Sequence, residues 1–169
     1  MTTVSQIMTR GVRSMRASDN IVAAAQAMEE LNVGVIPVCD GDRLIGMVTD
    51  RDIIVRGVAQ ERDAKTTRLA DVMSTNVRTV HEDEDVQDVL SEMADSQIRR
   101  IPVVDDDERL IGIVSLGDIA AKNSGNESDV AMSLEGISSP AEPDRSHQSQ
   151  ASGTAGGGSA SGQQRTQPG

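Results

Sequence analysis

Residues 43–52 read RLIGMVTDRD and residues 109–118 read RLIGIVSLGD, and this repetition decides the fold. Working outward, VIPVC at 35–39 matches RIPVV at 100–104, and Met8, Val12, Ile21, Met28 and Pro37 match Met73, Val77, Val86, Met93 and Pro102 at a constant offset of 65. After the polar turn the offset becomes 66, as Gly46 pairs with Gly112 and Asp52 with Asp118, so the second turn carries one extra residue. Self-similarity over this length marks two copies of one supersecondary unit.

Within each copy the spacing of apolar residues reads as structure. Ile21, Ala24, Ala25, Met28 and Leu31 form a helical stripe, repeated by Val86, Val89, Leu90 and Met93. Ser18 and Asp19 precede the first helix and Glu82 to Asp85 the second, where capping and acidic side chains suit the helix dipole. Asn32 and Gly34 supply the first stop. Two short β-type runs around a polar turn then predict a hairpin in each copy. Pro37 and Pro102 lack an amide hydrogen and belong at a sheet edge or where a strand leaves its partner. With the lead-in strands VRSM (12–15) and VRTV (77–80), and closing helices TDRDIIVRGVA and SLGDIAAKNS, each repeat reads β-α-β-β-α.

One such unit would bury too little surface to be stable alone, whereas two facing copies cover each other's apolar faces. The expected organisation is a first repeat over 4–59, a linker over 60–68, and a second repeat over 69–122. A short docking helix over 123–138 and a disordered Gly/Ser/Gln-rich tail over 139–169 complete it.

Composition narrows the function classes. The net charge of −11 and the absence of Phe, Tyr and Trp disfavour nucleic acid as a partner. A single cysteine, Cys39, and two histidines, His81 and His147, offer no metal constellation. Cys39 aligns with Val104 and reads as a small buried hydrophobe. No apolar run approaches the ~20 residues of a membrane span, and MTTVSQIMTR has no signal core, so a cytoplasmic location is expected. No nucleophile, base and orienting group fall at a recognisable spacing, so no enzyme is expected.

These residues resemble a known family. Two β-α-β-β-α units with a long Ala/Met-rich helix, an h-P-V strand and a G-h-h-[ST]-x-x-D ending look like a tandem CBS-domain pair, or Bateman module, over residues 4 to about 122. The resemblance implies an α/β (α+β) fold in which two repeats pack through their sheets about a pseudo-twofold axis, leaving two clefts that take AMP, ADP, ATP or another adenosyl ligand. It also implies a homodimer of modules and a protein target that the module regulates. No cofactor is required.

The chemistry of the repeated ending agrees. Thr49 stands at a strand-to-helix junction, where free amides and its hydroxyl can meet phosphate, and the Asp52 carboxylate suits paired ribose hydroxyls. Ser115 and Asp118 offer the same roles. A hydroxyl followed three residues later by an acid is equally a helix capping box that needs no ligand. By resemblance, the ring lies near Val35 and Ile36 or near Arg100 and Ile101, and Ser14 and Thr79 stand where such modules place a further hydroxyl. Arg51, Arg99 and Arg100 are candidate phosphate partners, and the copies differ there, since Arg99 and Arg100 replace Gly34 and Val35. The expected function is a stand-alone sensor of an adenine nucleotide; the alternative is a ligand-free interaction module acting through dimerisation.

Overall fold

Val35–Asp40 (β2) and Arg43–Thr49 (β3) form the first antiparallel hairpin, and Arg100–Val104 (β5) and Leu110–Ser115 (β6) form the second. The computed structural model describes residues 1–122 and Ala131. The docking helix expected over 123–138, Ala131 aside, and the tail expected over 139–169 lie outside the described residues. Gly41, at φ 60°, turns the first hairpin, while the longer second turn uses Glu108 at φ 61°. Each hairpin shifts register at the same place, between Val38 and Cys39 and between Val103 and Val104.

The long helices are Ile21–Leu31 (α2) and Val86–Ser96 (α5). Asn20 caps the first by accepting from the Ala23 N–H at 2.8 Å, and Asp85 caps the second by accepting from the Gln87 N–H at 2.7 Å. Asn32 and Gln97, at φ 51° and 53°, end them in the left-handed conformation. Gly34 is not part of that stop; its carbonyl accepts from the Asp50 N–H at 3.0 Å. The stripe on α5 is buried as expected. On α2, Ala27 takes the core position expected of Ala25, which is exposed, and Leu31 is 42% exposed at the helix end.

Each repeat lends its lead-in to the other. The short helix Val4–Ile7 (α1) packs into the core of the second repeat beside Val86, Leu90 and Met93, and the short helix Leu69–Val72 (α4) packs into that of the first beside Ile21, Ala24 and Met28. Isolated four-residue helices do not form in water. Burial of Val4, Ile7, Leu69 and Val72, at about 1.5–3 kcal/mol for each large apolar side chain, is what holds them.

Matched backbone bonds secure both dockings. Leu69 N–H donates to Asp19 O at 2.8 Å and Ile21 N–H to Thr67 O at 3.0 Å; their counterparts are Val4 to Glu84 at 3.0 Å and Val86 to Thr2 at 2.9 Å.

The strands are exchanged in the same way. Thr9–Arg10 (β1) pairs with β6, giving the four-stranded order β1-β6-β5-β4, where β4 is Val80–His81. In the first repeat the flanking strands shrink to single bridges, Met47 with Ser74 and Met15 with Val38, in the equivalent order. The lead-in strand expected at 12–15 is thus one bridge at Met15, and a strand not expected from the pattern, β1, precedes it. The helix expected after β3 is one α-turn (α3, Asp50–Asp52), a π-turn over Ile53–Gly57 and a 3-10 turn over Val58–Gln60, while Leu116–Lys122 (α6) is regular. Among the described residues no helix is long and apolar enough to cross a membrane.

The hairpin tips mark the pseudo-twofold axis. Arg43 bridges its own counterpart Arg109, with Leu44 N–H to Glu108 O at 3.1 Å and Leu110 N–H to Asp42 O at 2.9 Å.

The glycine of the repeated G-h-h-[ST] element is where the exchanged segments cross. A Cβ on Gly46 would lie 2.8 Å from Ser74 O and 2.9 Å from Met73 Sδ; on Gly112 it would lie at the same distances from Thr9 O and Met8 Sδ. Gly46→Ala and Gly112→Ala should therefore each destabilise by about 1–3 kcal/mol, the scale of overpacking. Denaturant unfolding followed by far-UV circular dichroism reads this; a neutral result at either position would show that the crossing segment is not seated there.

Candidate functional site

Each hairpin ends in a hydroxyl residue at the start of a helix. Thr49 N–H donates to Asp52 Oδ2 at 3.0 Å while Asp52 N–H donates to Thr49 Oγ1 at 3.0 Å. In the second repeat Ser115 N–H and Oγ donate to Asp118 Oδ2 at 3.0 and 2.6 Å, and Asp118 N–H donates to Ser115 Oγ at 3.1 Å. Both pairs are reciprocal capping boxes, so the hydroxyls and the Asp52 and Asp118 amides are already partnered. Each carboxylate spends Oδ2 on the cap, and its Oδ1 engages no protein donor among the described residues.

The helix start is also tied to the strand that opens the hairpin. Asp50 N–H bonds Gly34 O at 3.0 Å and Leu116 N–H bonds Arg99 O at 2.9 Å.

Ser115 and Asp118 line an open cleft of about 430 Å³ together with Val35, Ile36 and Pro37 of β2, Leu31 and Val33 just before it, and Arg100 at the start of β5. Thr9, Gly11, Val12, Arg13 and Ile113 complete it. Chain crossing explains the assembly. After β1 pairs with β6 at Thr9 and Ile113, the chain must reach Met15 beside β2, so residues 11–14 strap one sheet to the other. Gly11, at φ 68°, makes the bend. The volume falls within the range of about 300–1,000 Å³ usual for small-molecule sites, and the lining of aliphatic walls with a few polar groups is of the usual kind.

Ile36 is 1% exposed, so its side chain belongs to the core and only its backbone faces the cleft. Pro37 has no N–H, its carbonyl accepts from Met15 N–H at 2.9 Å, and the facing Met47 N–H turns away to Ser74 O. Proline here sits where β2 loses its neighbour and the cleft opens. Arg13 is bonded to Glu30 at 3.0 Å, whereas Arg100 is exposed and has no hydrogen-bond or ion-pair partner among the described residues.

The other sequence candidates lie elsewhere. Thr49 and Asp52 occupy the symmetric position across the axis, and Ile101, 0% exposed, is a core residue of the second repeat. Thr79 borders two separate hollows, one of about 160 Å³ with Ile45 and Gly46 and one of about 430 Å³ beside Glu84, Asp88 and Glu92. Ser14 lies against Cys39. Sequence reasoning missed Thr9, Gly11, Val12 and Arg13, which reach the cleft because the lead-in changes sheets, and Leu31, Val33, Pro37 and Ile113, which lie on or beside the strands that line it. Among the described residues no three His, Cys, Asp or Glu side chains converge to hold a metal ion.

Cys39 is 4% exposed. Burial pushes its thiol above the usual range, opposed by a hydrogen bond with Ser14 and reinforced by the Asp42 charge. Because the thiolate is the reactive form, alkylation of native protein by iodoacetamide near neutral pH should be slow and should accelerate strongly in denaturant. Mass spectrometry reads the rate, and equal rates in both states would show the thiol to be open in the native fold.

The CBS domain profile matches residues 4–58 and 69–125. Hypoxic response protein 1 of Mycobacterium tuberculosis is 40% identical over 121 residues, 71% of this chain and 84% of that protein. The CBS domain-containing protein YhcV of Bacillus subtilis is 42% identical over 128 residues, 76% and 90% of the two chains. Among solved structures, the CBS domain pair of protein MJ0100, in complex with 5′-methylthioadenosine and S-adenosyl-L-methionine, superposes with a TM-score of 0.66 at 31% identity, covering 75% of this chain and 99% of that one. A hypoxic response protein crystallised with two coordinated zinc ions gives 0.66 at 39% identity, covering 72% and 98%.

Proposed function

Because this chain belongs to the CBS-domain family, with two copies of the domain in tandem, we propose that it is a regulatory sensor that binds an adenine nucleotide or another adenosyl compound between its repeats and reports occupancy to a protein target. The observation that carries this reading is the cleft that sets the Ser115–Asp118 pair of one repeat against β2 of the other. The free Oδ1 of Asp118 can accept from a ribose hydroxyl without breaking the helix cap. Aliphatic side chains, with the backbone of Val35 and Ile36, supply flat walls and hydrogen-bonding edges for a purine in a chain that has no aromatic residue. Thr49 and Asp52 hold the same role on the opposite side, with Ile101 as the mate of Ile36; Ser14 and Thr79 are the peripheral hydroxyls. The crystallised relative with methylthioadenosine and S-adenosyl-L-methionine supports the ligand class.

A ligand that touches both repeats prefers one relative arrangement of them, and that differential affinity is the whole of the signal it can send. Among the described residues no catalytic constellation joins the cleft, and the proposed role is binding alone, in the cytoplasm.

A second reading, an interaction module that acts through dimerisation, draws on Ile54, Val55 and Val58, which are 56%, 42% and 59% exposed on the stretch after α3. The two readings separate on ligand response. Thermal unfolding followed by circular dichroism should rise with at least one of AMP, ADP, ATP, S-adenosylmethionine or NAD(H). At 100 times its dissociation constant a ligand stabilises by ~2.7 kcal/mol, roughly ten degrees for a domain of this size. Asp118→Ala should cost about 1 kcal/mol as a lost cap and also shrink the ligand shift. A wild-type protein indifferent to every adenosyl compound would leave the interaction module as the better account.

A further inference from the structure

Residues 1–13 serve the fold and the cleft at once. α1 lies in the core of the second repeat, β1 pairs with β6, and Thr9, Gly11, Val12 and Arg13 line the same cleft as Ser115, Asp118 and β2. Backbone bonds seat this arm across the start of α5: Val4 N–H to Glu84 O at 3.0 Å, Ser5 N–H to Glu82 O at 2.8 Å, and Val86 N–H to Thr2 O at 2.9 Å. From the end of α6, Lys122 Nζ donates to Ile7 O, at the carbonyl end of α1, at 3.0 Å. Neither Lys122 nor Ile7 lines the cleft.

The duplication supplies a comparison. Arg56 is the counterpart of Lys122 at the offset of 66, and Val72 is that of Ile7 at the offset of 65. Arg56 Nη1 donates to the carbonyls of Val72 and Met73, each at 3.1 Å. Each exchanged helix is thus latched at its open carbonyl end by a cation from the repeat that receives it. One latch grips two carbonyls and the other, among the described residues, grips one. Of the two arms, the one that walls the Ser115–Asp118 cleft has the weaker fastening.

We propose that this arm is the element through which the cleft reports its occupancy: ligand binding requires α1 and β1 to be seated on the second repeat, and Lys122 is the latch that sets how firmly they sit. This rests on the nucleotide-sensing reading above and names the part that responds. α1 has four residues and no stability of its own, and β1 has two, so the arm seats or leaves as a unit and carries the cleft wall at 9–13 with it. A ligand in the cleft therefore favours the seated arm, and the seated arm favours the ligand by the same coupling free energy. Lys122 acts from outside the cleft as a positioning residue. A protein target that engages either the seated arm or the surface it vacates reads the ligand without touching it.

Amide hydrogen exchange of the full chain, resolved by NMR, tests this on the wild type, Lys122→Met and Lys122→Arg. The probes are AMP and 5′-methylthioadenosine, each at 100 times the dissociation constant found by titration calorimetry. Without a probe, Lys122→Met should speed exchange at Val4, Ser5 and Val86 by about 10-fold, the scale of a charge-assisted hydrogen bond. Ile21 and Leu69, whose amides hold the other docking, should keep their wild-type rates, and Lys122→Arg should restore the arm. A bound probe should slow the arm amides of Lys122→Met by about 100-fold, the factor expected when the open form does not bind. Arm amides that exchange equally fast with and without bound probe overturn the proposal. So does a Lys122→Met that leaves the arm unchanged or quickens both dockings alike, or an arginine that fails to restore it. If neither probe binds the wild type, the nucleotide-sensing reading falls and takes this proposal with it.

Discussion

Two glycines with a foreign backbone lying on them organise this molecule. The segments Met8–Thr9 and Met73–Ser74 each cross over the sheet of the opposite repeat at Gly112 and Gly46, at approaches that any Cβ would obstruct. Everything else about the pairing follows from that crossing. The short helices ahead of the crossings are delivered into the opposite core, where Val4, Ile7, Leu69 and Val72 are sealed from water. The segments beyond them return to their own sheets at Met15 and Val80. Neither repeat owns a complete core, so their mutual stability is a consequence of chain path as well as of facing apolar surfaces.

The candidate site is the by-product of the same path. A segment that starts on one sheet and finishes on the other has to bridge them, and the span from Gly11 to Arg13 closes one side of the cleft. Its opposite wall is β2 at Pro37, where the strand has no amide to offer a neighbour. The capping residues sit at the mouth, where one carboxylate oxygen holds the helix start and the other has no protein donor among the described residues.

Departures from the twofold give the two halves different character. Leu116 and Gly117 stand where Asp50 and Arg51 stand in the first repeat, and Arg100 stands where Val35 does. The helical stretch after β3 widens into a π-turn and leaves Ile54, Val55 and Val58 in solvent, while its counterpart α6 is regular.

The sequence by itself determined the duplication, the hairpins, the buried stripe of α5 and the capping pairs Thr49–Asp52 and Ser115–Asp118, because each rests on periodicity or on spacings of a few residues within one copy. It also placed Cys39 in the core through its match with Val104. The CBS-domain resemblance was carried by the same repeated motifs and is borne out by the profile match. Tertiary structure alone decided which lead-in joins which sheet, that Ala27 and not Ala25 faces the core of α2, and that Ser115 and Asp118 share a cleft with Val35 and Ile36 of the other repeat. A strand of two residues, such as β1, carries too little pattern to announce its partner. The crossing that unites these distant residues is selected by packing over a glycine, an interaction between segments 28 positions apart at Gly46 (74 − 46) and 103 apart at Gly112 (112 − 9) that no local spacing encodes.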